Sequence, residues 1–136
     1  MDVQHMRVDE VNPSRIIAEN TPGCDEWRDS SFLGMLHEFN KWDFDEYWKI
    51  EKSLYETFDS EARPSDGAVF RIFSHVMLLF SCHFDADDVF AISNLDAEEI
   101  AEVRERAQMV FEGYFKRLMP DSSCFDRTNP LISPLP

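Results

Sequence analysis

The sequence predicts a mainly α-helical fold, a compact single-domain bundle of four to six helices around a buried central helix. Three observations lead to this prediction. The chain has 136 residues, enough for one hydrophobic core. Apolar residues recur at helical spacing in several segments, each preceded by an Asn, Ser or Asp that can cap a helix. Residues 67–84 form a long apolar run without an acidic residue. We expect a helical domain over residues 1–120 and a proline-containing tail over residues 121–136.

Two short helices are expected near the N-terminus. Asn12 before Pro13 is a typical N-cap and first helical residue, and predicts a helix over residues 14–19. A turn then leads to a second helix, from residue 30 or 31 to about residue 39. We expect it to bury its apolar side chains, namely Phe32, Leu33, Leu36 and Phe39. Residues 1–11 are expected to be frayed or to form a short strand.

A third helix is predicted from Asp43, which forms an acidic variant of the capping box with Glu46, to about Asp59. Seven apolar or aromatic side chains occupy one broad arc of this helix. They are Phe44, Tyr47, Trp48, Ile50, Leu54, Tyr55 and Phe58.

Glu51 lies within that apolar arc, where an unpaired carboxylate would be costly. We therefore expect either a second, solvated face on this helix or a polar partner for Glu51. Arg71 and His75 are the leading candidates for a structural polar pair with it. The enzyme alternative is a pocket in which Glu51 acts together with His75.

Residues 67–84 are predicted to form the central helix, with Ser65 and Asp66 as candidate N-caps. Its polar side chains fall on one narrow stripe that passes through Leu78. They are Arg71, Ser74, His75, Ser81 and Cys82. A helix that is apolar around most of its circumference belongs inside a domain or a membrane. The domain interior is favoured because the run is short for a span and contains charged and histidine side chains.

Two further helices are predicted after the central helix. Asp85 with Asp88 is expected to cap a short helix that carries Val89, Phe90 and Ile92. Asp96 and Glu99 then predict a last long helix that reaches Met119, just before a proline. Its core face has near-heptad spacing and consists of Ile100, Val103, Ala107, Val110, Phe111, Tyr114 and Leu118.

Prolines exclude a regular helix or a central strand in the tail. Its apolar side chains, Leu131, Ile132 and Leu135, can pin the tail across the bundle or dock it on a partner. A disordered tail is equally compatible with this composition.

The charge balance excludes several classes of function. Twenty-seven acidic residues against thirteen basic ones give a net charge of −14. Such a surface repels nucleic acid and anionic membranes, whereas it accelerates encounter with basic proteins. The histidines and cysteines lack metal-ligand spacing, and neither a phosphate-binding loop nor a nucleophile motif is present. We expect no metal, no cofactor and no catalytic activity.

The three cysteines, Cys24, Cys82 and Cys124, are odd in number and show no paired motif. The first residues lack the basic start and apolar core of a signal peptide. A reducing cytoplasm is therefore the expected location, and a monomer the favoured state.

Acidic residues are most concentrated from residue 85 to residue 103, where seven carboxylates occur without a Lys or Arg. Helix capping accounts for two or three of them. The surplus predicts a partner-binding surface formed by Asp85, Asp87, Asp88, Phe90, Asp96, Glu98, Glu99 and Glu102. Carboxylates around an apolar anchor suit an inhibitor that binds a basic enzyme cleft. A second acidic segment, Asp43 to Glu46, is better explained by helix capping beside core aromatics.

Two acidic–aromatic segments, WDFDEYW at residues 42–48 and FDADDVF at residues 84–90, contribute to a family resemblance. With its length, charge and lack of catalytic motifs, the chain resembles the small acidic immunity proteins that bacteria pair with contact-dependent or polymorphic toxins. The resemblance implies that the chain binds a cognate basic toxin, frequently a nuclease, and covers its active site or an adjacent surface. The alternative is an adaptor or regulatory bundle that binds another protein through an apolar groove or through the tail.

Overall fold

The computed structural model describes residues 12–132. Within this range the chain is all-helical and contains no strand, which confirms the predicted fold class. The helices are α1 (Pro13–Glu19), α2 (Phe32–Phe39), α3 (Phe44–Thr57), α4 (Asp66–Phe84) and α5 (Ala97–Lys116), followed by a 3-10 turn at Ser122–Cys124. The predictions for residues 1–11 and for Leu135 lie outside the described residues.

Each helix begins after a side chain that accepts a hydrogen bond from the amides of the first turn. These N-cap residues are Asn12, Ser31, Asp43, Ser65 and Asp96. Four of them were predicted as caps, whereas Ser31 was predicted as a possible first residue of its helix. Asp96 and Glu99 form a complete capping box at α5. At α3 only the Asp43 half of the predicted box forms, because the Glu46 carboxylate binds Lys49 Nζ at 2.7 Å instead.

Two helices, α3 and α4, organise the bundle, and each of them contacts α1, α2 and α5. An aromatic cluster fills part of the core that they share. The Trp42 ring lies 4.7 Å from Phe32, 5.1 Å from Tyr47 and 5.7 Å from Phe80, measured between ring centroids. The core is therefore built on two helices rather than on one.

Helix α4 is buried on one face only, so the expectation of burial around most of its circumference is wrong. The buried face consists of Val69, Ile72, Val76, Leu79 and Phe80. Phe70, Leu78 and Phe84 are 56%, 58% and 60% exposed. By length and composition α4 could also cross a membrane, with 28% of its most apolar window buried inside the bundle. Its apolar surface thus exceeds what the core covers.

The short helix predicted after α4 does not form. The Asp85 carboxylate accepts a hydrogen bond from the amide of Asp87 at 2.9 Å, and the Asp88 carboxylate accepts one from the amide of Phe90 at 2.8 Å. These local bonds stabilise successive turns in place of a helix. Residues 85–92 therefore form a loop between α4 and α5.

Two helix ends and two side chains also differ from the prediction. Helix α5 ends at Lys116 rather than Met119, because Arg117 adopts a left-handed conformation with φ of 59°. Helix α3 ends at Thr57, two residues early. Phe39, expected in the core, is exposed at the last position of α2. Leu118, expected on the core face of the last helix, is also exposed because α5 ends before it.

Gly34 allows the loop before α2 to pass directly over the start of that helix. A Cβ atom at Gly34 would lie 2.4 Å from the carbonyl oxygen of Asp29 and 2.6 Å from that of Arg28. The amide of Arg28 also donates to the Glu19 carbonyl at 3.0 Å. These contacts fix the loop that carries Cys24 and Trp27 against α1 and α2.

The described part of the tail, residues 121–132, packs along α3 and α5. The Tyr55 hydroxyl donates to the Pro120 carbonyl at 2.7 Å. Asn129 is buried, and its Nδ2 donates to the Trp48 carbonyl at 3.2 Å. Polar contacts hold this segment, whereas Leu131, one of the expected apolar pins, is 41% exposed.

Candidate functional site

The expected polar partner of Glu51 exists, but it is Arg106 of α5 rather than Arg71 or His75. Arg106 Nε donates to Glu51 Oε2 at 2.7 Å, and Arg106 Nη2 donates to Glu51 Oε1 at 2.9 Å. The Glu51 side chain is fully buried. The His75 ring Nδ1 instead donates to the carbonyl oxygen of Arg71 at 2.8 Å. The predicted pairing of Glu51 with Arg71 and His75 is therefore wrong.

The tail completes the surroundings of Arg106. The guanidinium lies between two aromatic rings, 4.6 Å from the centroid of Trp48 and 4.4 Å from that of Phe125. Its Nη1 donates to the carbonyl oxygen of Arg127. Burial alone would lower the pKa of Arg106, but the hydrogen bonds and charge of Glu51 raise it. The charged pair therefore holds the tail against α3 and α5. Because Glu51 binds Arg106, the expected catalytic pair of Glu51 with His75 does not form.

The sequence contains a signal for this pair that the wheel of α3 alone does not show. Arg106 follows Val103 by three residues and precedes Val110 by four, at the edge of the apolar face of α5. A carboxylate within the apolar face of one helix and a guanidinium at the edge of the apolar face of another indicate mutual pairing.

The predicted acidic surface is divided by the structure into a neutralised part and an exposed part. Glu99 and Glu102 accept hydrogen bonds from Arg127 at 3.3 to 3.4 Å, and the Arg127 guanidinium also lies 4.2 Å from the Phe44 ring. Asp96 and Glu99 cap α5. These carboxylates are engaged within the bundle, so they contribute less to an external surface than their number suggests.

The exposed part is the acidic loop, which we define as Asp85, Asp87, Asp88 and Val89. All four residues are exposed, and the three carboxylates form no ion pair within residues 12–132. Glu98 is likewise exposed on the first turn of α5.

Phe90, expected as the apolar anchor of the acidic surface, packs partly buried against the core. The exposed apolar side chains near the acidic loop are Val89, which is fully exposed, and Phe84, which is 60% exposed. Val89 and Phe84, rather than Phe90, are therefore the exposed apolar side chains beside the carboxylates of the loop.

An apolar groove of about 700 Å³ lies between α2, α4 and the loop of residues 22–27. Its principal side chains are Trp27, Leu33, His75, Leu78, Leu79 and Cys82. Two residues of the polar stripe of α4, His75 and Cys82, line this groove rather than facing Glu51. Arg71 marks one end of the stripe, because its guanidinium lies 3.5 Å from where a Cβ of Gly23 would be.

Carboxylates border the groove at several margins. Glu38 lines it directly. The Cys24 thiol donates to Glu26 at 2.7 Å, which raises the pKa of the thiol and lowers that of Glu26. At the far end, partial burial, hydrogen bonding to Asp88 and the charges of Asp88 and Asp85 raise the pKa of the Cys82 thiol. The amide of Asp85 also donates to the carbonyl oxygen of Cys82 at 3.2 Å, so the acidic loop begins directly beside a residue that lines the groove.

The groove also contains His37 and His75, but they do not converge with other ligands. Within residues 12–132, no three His, Cys, Asp or Glu side chains lie close enough to hold a metal ion. The chemistry of the groove is that of an apolar surface with negative margins.

No protein-family model matches the chain, and neither the curated proteins nor the solved structures provide a match. The functional assignment therefore rests on the geometry and charge of these two adjoining surfaces.

Proposed function

We propose that the chain is a cytoplasmic immunity protein, a non-enzymatic inhibitor that binds a basic toxin and covers its active site or a nearby surface. The observation that supports it is the acidic loop, where three exposed carboxylates that form no ion pair within the described residues lie in sequence between the exposed side chains of Phe84 and Val89. Carboxylates of this kind can replace the phosphates of a nucleic-acid substrate in a basic cleft, so a nuclease is the toxin class that fits best. The exposed apolar side chains supply the anchor that charge alone does not.

The local hydrogen bonds of the loop favour this role. Asp85 and Asp88 each use a carboxylate oxygen to hold the backbone of the loop. A loop fixed before binding loses less conformational entropy on association. The same carboxylates attract a basic surface from a distance and increase the association rate.

The proposed interface is narrower than the surface predicted from sequence. Asp85, Asp87, Asp88 and Val89 form its centre, and Glu98 extends it toward α5. We assign Glu99 and Glu102 to its edge because both form ion pairs with Arg127, which offsets part of their charge.

Co-expression tests the proposal. The reading frame immediately upstream of this chain's gene is cloned, and its C-terminal region is expressed alone and together with this chain. We expect a basic domain that stops growth alone and is tolerated when the wild-type chain is present. Toxicity that the wild-type chain does not relieve, or an upstream product without a toxic domain, would contradict the proposal.

A matched pair of charge reversals locates the interface in the same assay. Asp87→Lys with Asp88→Lys should abolish protection. The control, Asp59→Lys with Glu61→Lys, makes the same change of charge at exposed residues between α3 and α4, and should retain protection. Equal protection by the two double variants would place the interface outside the acidic loop.

The groove supports a second candidate, an adaptor bundle that binds a protein partner through apolar contacts alone. This function would be favoured over the inhibitor if binding of the protein partner were insensitive to salt and to the charge reversals. That binding should then be lost when residues of the groove are substituted.

A further inference from the structure

The groove is elongated along α4. His75, Leu78 and Cys82 lie on one stripe of this helix, and Arg71 extends the stripe toward the N-terminus. From Arg71 to Cys82 the helix rises about 16 Å, or roughly three turns. Leu33 of α2 and Trp27 form the opposite wall.

We propose that this groove binds a basic amphipathic helix of the protein partner, about three turns long. The inference rests on the proposed function, because it assigns the element through which the basic partner is held. The acidic loop and the groove then form one continuous interface that meets at Cys82.

The shape of the groove favours a helix. An amphipathic helix places apolar side chains every three or four residues along one stripe, which is the arrangement that an elongated apolar groove accepts. Leu78 is 58% exposed in the free protein, so a large apolar surface remains for a partner to cover. A small-molecule site would enclose most of its ligand, whereas Leu78 in the lining of this groove is more than half exposed.

The charge around the groove favours a basic occupant. Glu38 lines the groove, and Glu26 accepts a hydrogen bond from the thiol of Cys24, which also lines it. The acidic loop begins beside Cys82, because the amide of Asp85 donates to the Cys82 carbonyl. Arg71, close to Gly23, is a cation near the same groove. A helix with Lys or Arg beside its apolar stripe would place those cations against the carboxylates, whereas an acidic helix or an anionic membrane would be repelled.

Designed peptides test the groove without the natural partner. The probe is a peptide of about 18 residues with Leu at helical i, i+3, i+4 and i+7 positions and Lys elsewhere. The first control peptide has the same Leu and Lys content, with the residues in alternating order. The second control keeps the Leu positions of the probe and has Glu in place of every Lys. Titration calorimetry with the wild-type chain should detect binding of the first peptide only.

A pair of substitutions connects that binding to the groove. Leu78→Lys places a cation on the groove floor and should weaken peptide binding at least about tenfold, the loss expected for an anchor residue. Leu118→Lys makes the same change at a side chain that is 71% exposed just after the end of α5 and does not line the groove, and should leave the affinity unchanged. Far-UV circular dichroism establishes that both variants fold.

Alkylation with iodoacetamide supplies a second readout. The peptide should protect Cys24 and Cys82, which line the groove, and should leave Cys124 reactive, since Cys124 lies outside it. Equal binding of the three peptides, or protection of all three thiols alike, would overturn the proposal. Binding of the wild-type chain to phosphatidylcholine vesicles that Leu78→Lys abolishes would assign the face to a membrane and also overturn it.

The same variants distinguish failure of this inference from failure of the proposed function. A cognate toxin whose binding is lost in Asp87→Lys with Asp88→Lys, but unchanged in Leu78→Lys, would overturn the groove proposal and leave the inhibitor function standing. Specific peptide binding at the groove, together with unrelieved toxicity in co-expressing cells, would support the groove and contradict the inhibitor.

Discussion

Arg106 and Glu51, which are 55 positions apart in sequence, form a two-point ion pair in which neither side chain is more than 4% exposed. The guanidinium is covered by Trp48 from α3 and by Phe125 from the tail. The pair therefore joins α3, α5 and the tail at one point. A buried pair of this kind is far more costly to break on one side than to replace on both.

The first prediction concerns this pair. Glu51→Ala leaves the Arg106 charge buried without its partner, and should lower the free energy of unfolding by about 3–5 kcal/mol. The double substitution Glu51→Leu with Arg106→Met should lower it by less than Glu51→Ala alone. Urea unfolding followed by circular dichroism measures both.

The control for the pair is Glu56→Ala, which removes the exposed Lys52–Glu56 ion pair and should change stability by less than about 1 kcal/mol. If Glu51→Ala were as mild as Glu56→Ala, the buried pair would not be a structural element.

The second prediction concerns the tail. Asn129→Ala removes the hydrogen bonds that Asn129 donates to the Trp48 carbonyl and to Glu51 Oε1 and the one that it accepts from the Leu131 amide, and should cost about 1–3 kcal/mol. Thr128→Ala, at the exposed neighbouring position, serves as the matched control and should be close to neutral. Thermal unfolding followed by tryptophan fluorescence compares the two, and equal midpoints would argue against a docked tail.

The third prediction concerns the close approach of the loop to α2. Gly34→Ala would force a Cβ atom against the backbone carbonyls of Asp29 and Arg28, so that overpacking outweighs the gain in helix propensity. We expect a net loss of stability of about 1–2 kcal/mol. Gly67→Ala, in the first turn of α4 with no atom within 4 Å of the added Cβ, should instead be neutral or stabilising. Chemical denaturation of the two variants tests this difference in sign.

The fourth prediction concerns the junction between the groove and the acidic loop. Because burial and Asp88 raise the pKa of the Cys82 thiol, the reactive thiolate appears only at a higher pH than in an ordinary cysteine. Asp88→Asn removes the neighbouring charge, so the pKa of Cys82 should fall and its alkylation should accelerate at about pH 8. Mass spectrometry of iodoacetamide-treated protein measures the rate, with Cys124 as internal control. If the alkylation rate of Cys82 did not increase, the acidic loop would have no electrostatic influence on the groove at this residue.

The sequence predicted the features that depend on local chemistry. The N-caps at Asn12, Asp43, Ser65 and Asp96 follow from side chains that bind amides a few residues away, and all of them form. The loop after α4 was missed for a related reason. Asp85 and Asp88 can cap a helix or hold a turn with the same oxygens, and the structure has the turns.

Features that depend on packing between distant segments could not be predicted in this way. The helical-wheel projection of α3 indicated that Glu51 needs a polar partner. It does not show how α5, the helix that supplies Arg106, is oriented against α3. The apolar circumference of α4 indicated burial, yet only one face packs in the bundle and Leu78 faces a groove. An apolar surface in sequence does not distinguish a core from a binding surface.

The most direct test of the proposed inhibitor is the salt dependence of its association rate with the cognate toxin, measured by stopped-flow fluorescence. If the acidic loop steers binding, the wild-type rate constant should fall steeply as sodium chloride rises from about 50 to 300 mM. Asp87→Asn with Asp88→Asn should flatten that dependence, whereas Asp59→Asn with Glu61→Gln should leave it close to wild type. Parallel salt dependences for both double variants would contradict the role of the acidic loop.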